Sequence, residues 1–336
     1  MNPLKIGLVG TGYAAKVRAE ALQADSRACL VAVAGHRTEK TEAFSQTFGV
    51  EAIESWAGLV ERPDLDVVII SNVNREHGKV AHAALQAGKH VIVDYPLALD
   101  VSEAEALIAL SKAQGKLLHV EHIELLSSIH QALKQALPAI GSVFHVRYAS
   151  VNPQRPAPKK WTYQPALFGF PLVGAISRLH RLVDLFGQVA TVSCQTRYWS
   201  SEGGFSNQSE FDTYTTCLCI AQLRFVSGLL AEVVYGKGEM LWQEERTLEI
   251  QGEKGAIIFE GEQGRLVQAG QTIPLESGSR RGLFAKDTAI VLDHLLSGTP
   301  LYVSSEASLY TLRVADAARR SAETSQTVHL ENLESS

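Results

Sequence analysis

The stretch "KIGLVGTGYAAKVRAEAL" sets Gly10, Gly12 and Ala15 as G-x-G-x-x-A between an apolar run and a helical pattern. That spacing suits a pyrophosphate: Gly10 permits a tight turn, Gly12 lets the backbone approach the phosphates, and Ala15 allows helix to pack closely on strand. A second group ends the next apolar run, "LVAVAG", with His36, Arg37, Thr38 and Lys40 beyond Gly35. A dinucleotide with free ribose hydroxyls calls for a carboxylate there, whereas a guanidinium suits a 2′-phosphate. NADPH is the expected cofactor, with a solvated loop charge as the other reading of Arg37. A third group is Asp94 and Tyr95 in "VIVDYPLALD", at the carboxyl end of a strand, where ligands gather in parallel sheets. Tyr95 either positions a ligand or packs as the plain end of that strand.

Further along, "HVEHIELL" carries His119, Glu121, His122 and Glu124. Their spacing fits no strong zinc pattern, so no metal is expected, and Glu121 and His122 read as polar lining of a site or as a hinge. "PLVGAISRLHRLVDLF" reads as one helix with Pro171 near its start, which stacks Gly174 and Arg178 as i and i+4 and sets Arg181 a turn further. Arg178 either meets an anionic ligand or lies over apolar surface. "SGSRRGLFAKD" puts Arg280 and Arg281 before a helix, as an anion site or a solvated loop.

The elements that must hold these residues fall into two patterns. Up to about residue 122, β-branched runs alternate with helical stretches, which predicts a parallel, doubly wound sheet. From 123 to 336, longer alternating strands joined by signals such as "GEKGA" and "GEQGR" predict an α+β domain with a large, mostly antiparallel sheet. The fold class is therefore α/β: a Rossmann domain over 1–122 followed by an α+β substrate domain over 123–336. With 336 residues, 46% hydrophobic, 20% charged and a net charge of -5, the chain has no basic field to gather nucleic acid or anionic lipid. The N-terminal apolar run is too short for a signal or a membrane span, and the four cysteines suit a reducing compartment, so a cytoplasmic protein is expected. Cys217 and Cys219 share one strand face and read as small residues filling a sheet.

The Gly-rich turn, "AALQAGKHVIVDYPLAL" and the α+β pattern resemble the Gfo/Idh/MocA family of glucose-fructose oxidoreductases and inositol dehydrogenases over nearly the whole chain. In that family the strand after "AGKHV" usually ends Glu-Lys-Pro, and a helix in the second domain adds an Asp and a His. Here Tyr95 stands at the Lys, Gly174 at the Asp and Arg178 at the His. Oxidising a carbinol needs a base with a pKa near working pH, and arginine cannot act as one. A sugar or cyclitol dehydrogenase is thus disfavoured. "GKLLHVEHIELL", "APKKWTY", "FGFPLV", "EVVYGKGE" and "PLYVSSEASLY" instead resemble the biliverdin-reducing branch of the family, of the cyanobacterial kind. The resemblance implies NADPH-dependent reduction of an open-chain tetrapyrrole at its central methine, with Arg178 and Tyr95 at the chemistry. It further implies a cofactor site of Gly10, Thr11, Gly12, Tyr13, Ala14, Ala15, His36, Arg37, Thr38, Asn72, Asn74, His77 and Asp94. For the substrate it implies Glu121, His122, Gly174, Arg178, Arg181 and Arg281. A non-catalytic NADPH-binding sensor and a homo-oligomer remain compatible with the sequence.

Overall fold

The computed structural model describes residues 2–201, 203–207 and 211–331. The chain divides into two units: residues up to Leu126 together with Arg281–Tyr310, and Ser127–Arg280 together with residues from Thr311 on.

In the first unit, strands β1 (Leu4–Val9), β2 (Ala28–Ala34), β3 (Glu51–Ile53), β4 (Val67–Ile70), β5 (His90–Asp94) and β6 (Leu118–Glu121) form a parallel sheet in the order β3-β2-β1-β4-β5-β6. Helices α1 (Tyr13–Gln23), α2 (Thr38–Phe48), α3 (Trp56–Val60), α4 (Asn74–Gln86) and α5 (Val101–Gln114) connect them. Strands covered on both faces need apolar residues at every position, and β4, "VVII", is buried throughout. Asp100 caps α5 by accepting from the Ser102 and Glu103 N–H groups. The strand order reverses between β1 and β4, the place where such sheets open a crevice for ligand.

A single cut at residue 122 does not express one feature. Helix α10 (Leu283–Ser297) returns to the first unit, where Val291 and Leu292 join the core of Ile6, Leu8, Ala19 and Val33. Burying each of those two side chains contributes about 1.5–3 kcal/mol. Periodicity reveals that α10 has an apolar face but not what that face meets. Helix α11 (Ser305–Thr324) begins in the first unit and continues in the second.

The second unit opens with α6 (Ser128–Ala136) and is built on a ten-stranded sheet. Its strands are β7 (Val143–Pro153), β8 (Val189–Trp199), β9 (Phe205–Ser206), β10 (Thr216–Phe225), β11 (Leu230–Gly238), β12 (Glu245–Gly252), β13 (Gly255–Glu260), β14 (Gln263–Gln268), β15 (Gln271–Leu275) and β16 (Val328–His329). The path is β15-β14-β13-β12-β7-β11-β10-β8-β16, with β9 on β8, and among the described residues of this sheet only the β7–β11 pair is parallel. Two-residue turns join β12 to β13 and β13 to β14, as the "GEKGA" and "GEQGR" signals predict. Alternation is clear in β10: Ala221, Leu223 and Phe225 are buried while Gln222 and Arg224 are exposed.

The expected single helix over 171–186 is two pieces. After α7 (Pro165–Phe168) come α8 (Pro171–Gly174) and α9 (Ser177–Phe186), with the chain breaking at Ala175. Gly174 and Arg178 therefore do not stack as i and i+4. A Cβ on Gly174 would lie 2.4 Å from the Phe168 ring, so tertiary packing at this glycine overrides local helix periodicity. Among the described residues no helix is long and apolar enough to cross a membrane.

Candidate functional site

The first unit gathers its glycine turn at the carboxyl ends of β1 and β4. Gly10 has φ 128°, and a Cβ there would meet the Ser71 carbonyl oxygen at 2.3 Å, so only glycine lets the turn close against β4. Gly12 is the opposite case: a Cβ would meet nothing within 4 Å, leaving backbone open to an approaching ligand. Gly12 caps α1 without any side-chain hydrogen bond to the first turn, so the N–H groups over Tyr13, Ala14 and Ala15 are presented to an anion. Thr11 packs against Gly35 at the end of β2, which brings His36, Arg37 and Thr38 to the same end of the sheet. All three are exposed, and no carboxylate pairs with Arg37 among the described residues. These residues lie together at the carboxyl edge of the sheet.

The loops after β4 and β5 complete that edge. His77, 1% exposed, places Nδ1 2.8 Å from the Pro96 carbonyl oxygen and Nε2 3.4 Å from that of Asn72. Burial holds its pKa below the usual histidine range, so the ring is neutral and fastens one loop to the other. His77 is thus a support of the cofactor edge and not an open ligand. Asn74, at the start of α4, is also buried. Asp94, at the end of β5, accepts at Oδ1 from Arg18 Nε at 3.0 Å.

Beneath this edge lies a charge network that the sequence reading missed. Arg18 is fully buried and pairs with both Asp94 and Asp287, at 3.0 Å each. Asp287 also accepts from the Tyr302 hydroxyl at 2.7 Å and meets His119 Nε2 at 2.8 Å. His119, Arg18 and these hydrogen bonds hold the Asp287 carboxyl well below the usual range despite burial. Glu121 accepts from the Ile123 N–H at 2.7 Å; burial and the nearby Asp94 push its pKa up to about 8. The clue was available in α1, where Ala15, Arg18, Ala19 and Leu22 follow i, i+3, i+4, i+7: an arginine stands at a core position.

Glu121 and His122, expected to line a substrate site, are both 2% exposed within this unit. His122 Nε2 lies 2.9 Å from the Ser308 hydroxyl, and its backbone N–H donates to Tyr302. What His122 does instead is orient Tyr95: the two rings lie 5.8 Å apart and within 6° of parallel. Tyr95 is half-buried at the end of β5, so its phenol has a fixed platform beneath it. Arg281 is exposed just ahead of α10.

The second unit presents a separate group of residues on the sheet face beneath α9. Ser150 on β7 and Tyr235 on β11 are register partners. Arg178 spans them, donating to the Ser150 hydroxyl at 3.1 Å with its guanidinium 5.3 Å from the Tyr235 ring centre. Among the described residues no carboxylate pairs with Arg178. Arg181 differs: it is 4% exposed and donates to Tyr148 at 3.2 Å and to Ser127 at 3.3 Å, so it ties α9 to the framework and is not open to a substrate. Gly174 is buried too, and the room it leaves is filled by Phe168 and not by a ligand. Cys217 and Cys219 are buried on the sheet, with the Cys219 Sγ 3.5 Å from that of Cys194.

Comparison with known proteins agrees with this architecture. Residues 4–122 match an oxidoreductase family, NAD-binding Rossmann fold, and residues 134–330 match the C-terminal alpha/beta domain of the same family. The crystal structure of biliverdin reductase in complex with biliverdin and NADP+ from Synechocystis sp. PCC 6803 is similar at 48% identity and TM-score 0.91, over 95% of this chain and 99% of that one. Mouse biliverdin reductase A is 29% identical over 55% of this chain and 59% of its own length. A dTDP-3,4-didehydro-2,6-dideoxy-alpha-D-glucose 3-reductase from Actinomadura kijaniata is 36% identical over 35% of this chain and 36% of its own length. The chain thus spans between a third and three fifths of these two curated relatives. With both domain models matched in order along the sequence, the chain belongs to the Gfo/Idh/MocA family and is an NAD(P)H-dependent oxidoreductase.

Proposed function

We propose that this protein reduces biliverdin to bilirubin with NADPH. The observation that carries the reading is Arg178, a cation with no carboxylate partner among the described residues, seated on an aromatic face at the position where the family resemblance puts a histidine. Similarity at 48% identity to a biliverdin reductase over nearly its whole length supports it.

NADPH, when bound, supplies the hydride. The uncapped start of α1 and the open side of Gly12 hold its pyrophosphate, and Arg37 with His36 holds the 2′-phosphate. Reducing the pigment's central methine requires no base to strip a hydroxyl proton, which fits a chain with Tyr95 and Arg178 at the positions where the family resemblance puts a lysine and a histidine. Arg178 binds a propionate or faces the pyrrole nitrogens, and stabilises the negative charge that arrives with hydride. Tyr95, held parallel to His122, offers a flat ring and a hydrogen-bonding phenol.

Purified protein mixed with NADPH and biliverdin tests this reading by absorption. Loss of the biliverdin band with matching NADPH consumption is the expected outcome. An unchanged pigment, together with NADP+ reduction on adding myo-inositol or an aldose, would establish a cyclitol or sugar dehydrogenase instead.

A further inference from the structure

Lys237 lies on the same strand face as Tyr235, two residues along β11, and is only 7% exposed. Its ammonium is enclosed by four rings: Phe168 at 4.0 Å, Tyr163 at 4.8 Å, Tyr214 at 5.4 Å and Tyr235 at 5.9 Å from their centres. Nζ donates to the Thr162 carbonyl, which also accepts from the Tyr214 hydroxyl at 3.0 Å. No carboxylate pairs with Lys237 among the described residues. A buried, unpaired lysine is costly unless something offsets it, and here aromatic faces and one carbonyl do so only in part.

Two of these contacts lead to Arg178. The Tyr235 ring has the Lys237 ammonium near it and carries the Arg178 guanidinium. The Phe168 ring, in contact with Lys237, fills the space over Gly174 that breaks the helix ahead of α9, the helix on which Arg178 stands. We propose that Lys237 is a positioning residue of the substrate site: a buried second cation that fixes the Trp161–Phe168 segment and the Tyr235 ring around Arg178, and adds its charge to the attraction for an anionic substrate. This rests on the reading that Arg178 meets a propionate of biliverdin.

The charge is removable. Burial, with Arg178 adding to it, brings the Lys237 pKa down to about 8. The neighbours stay neutral in that range. Burial pushes the Cys217 thiol and the Tyr214 and Tyr198 phenols up, and Tyr163 up to about 12. Asn152, its register partner on β7, is uncharged. Glu239, two residues on, accepts from the Ala157 N–H. Lys237 is therefore positive below about pH 8 and neutral above it, and the site weakens for an anion as pH rises through that value.

The test compares wild type with Lys237→Met, which keeps the length of the side chain without its charge, and Lys237→Arg, which keeps a charge that does not titrate. For wild type the KM for biliverdin should rise between about pH 7 and 9 with a midpoint near 8. Lys237→Met should show a KM raised roughly tenfold at pH 7, kcat changed much less, and no such rise with pH. Lys237→Arg should hold the lower KM across the range. A flat wild-type profile, or a wild-type KM in Lys237→Met, would overturn the proposal. Carbon-13 NMR of ε-labelled lysines, with the Lys237 signal identified by its loss in Lys237→Met, reads the titration without substrate. If biliverdin is not reduced at all, the proposed function fails, while a Lys237 midpoint near 8 that moves up on adding biliverdin still upholds the anion site. A midpoint in the ordinary lysine range, or one that biliverdin leaves unmoved, overturns it.

Discussion

At the scale of single residues, the proposed chemistry rests on the Arg178 guanidinium and the Tyr95 phenol, at positions where the family resemblance puts a histidine and a lysine. Arg178→Ala should lower kcat/KM for biliverdin by about a hundredfold, the scale of losing one preorganised charge, and Arg178→Lys should recover only part, because lysine cannot form the two-bonded fork. NADPH affinity, titrated separately, should stay near normal; equal loss of both would mean that Arg178 serves folding. Tyr95→Phe keeps the ring stacked on His122 and should reduce activity modestly, whereas a collapse beyond about a thousandfold in kcat would make the phenol an essential acid. At the end of β2, Arg37→Asp should narrow or reverse the preference for NADPH over NADH, since a carboxylate repels the 2′-phosphate. A wild type without preference would contradict that assignment.

At the scale of elements, the network of Arg18, Asp94, Asp287 and Glu121 joins α1, β5, β6 and α10 in one unit. Arg18→Met leaves the buried Asp287 and the partly buried Asp94 without this cation and should cost about 3–5 kcal/mol in urea unfolding. Glu121 adds a pH dependence with a definite sign. Folded, it keeps its proton up to about pH 8, while unfolded it releases it near the ordinary value of 4.5. The native state binds more protons across that window, so this group's contribution to stability falls as pH rises through it. Glu121→Gln should flatten that slope in urea midpoints taken from about pH 5 to 8, and an unchanged slope would place the titration elsewhere. Part of this was legible in the sequence. The βα rhythm, the G-x-G-x-x-A turn and the two hairpin turns are local signals, and each stands where the pattern puts it. The break before α9 and the docking of α10 were not legible, because both depend on side-chain packing that periodicity does not encode, Phe168 over Gly174 and the core around Ile6. Arg18 and Lys237 could have been found as charged residues at core positions of a helical and a strand period.

For the whole molecule, both domain models of an oxidoreductase family match in order, and on the proposed reading substrate choice is tied to this chain's departures from the family pattern. Tyr95 and Arg178 are, on that reading, the groups that stand where the family resemblance puts a lysine and a histidine. On that proposal, Arg178 and Lys237, cations beside aromatic rings, suit a flat, apolar, doubly anionic ligand. Isotope transfer tests that claim most directly. With NADPH deuterated at the nicotinamide C4 on the transferred face, wild-type turnover of biliverdin should yield bilirubin carrying one deuterium at the central methine carbon, read by mass spectrometry and proton NMR. Pigment recovered without deuterium, or left unreduced while NADPH remains intact, would contradict it.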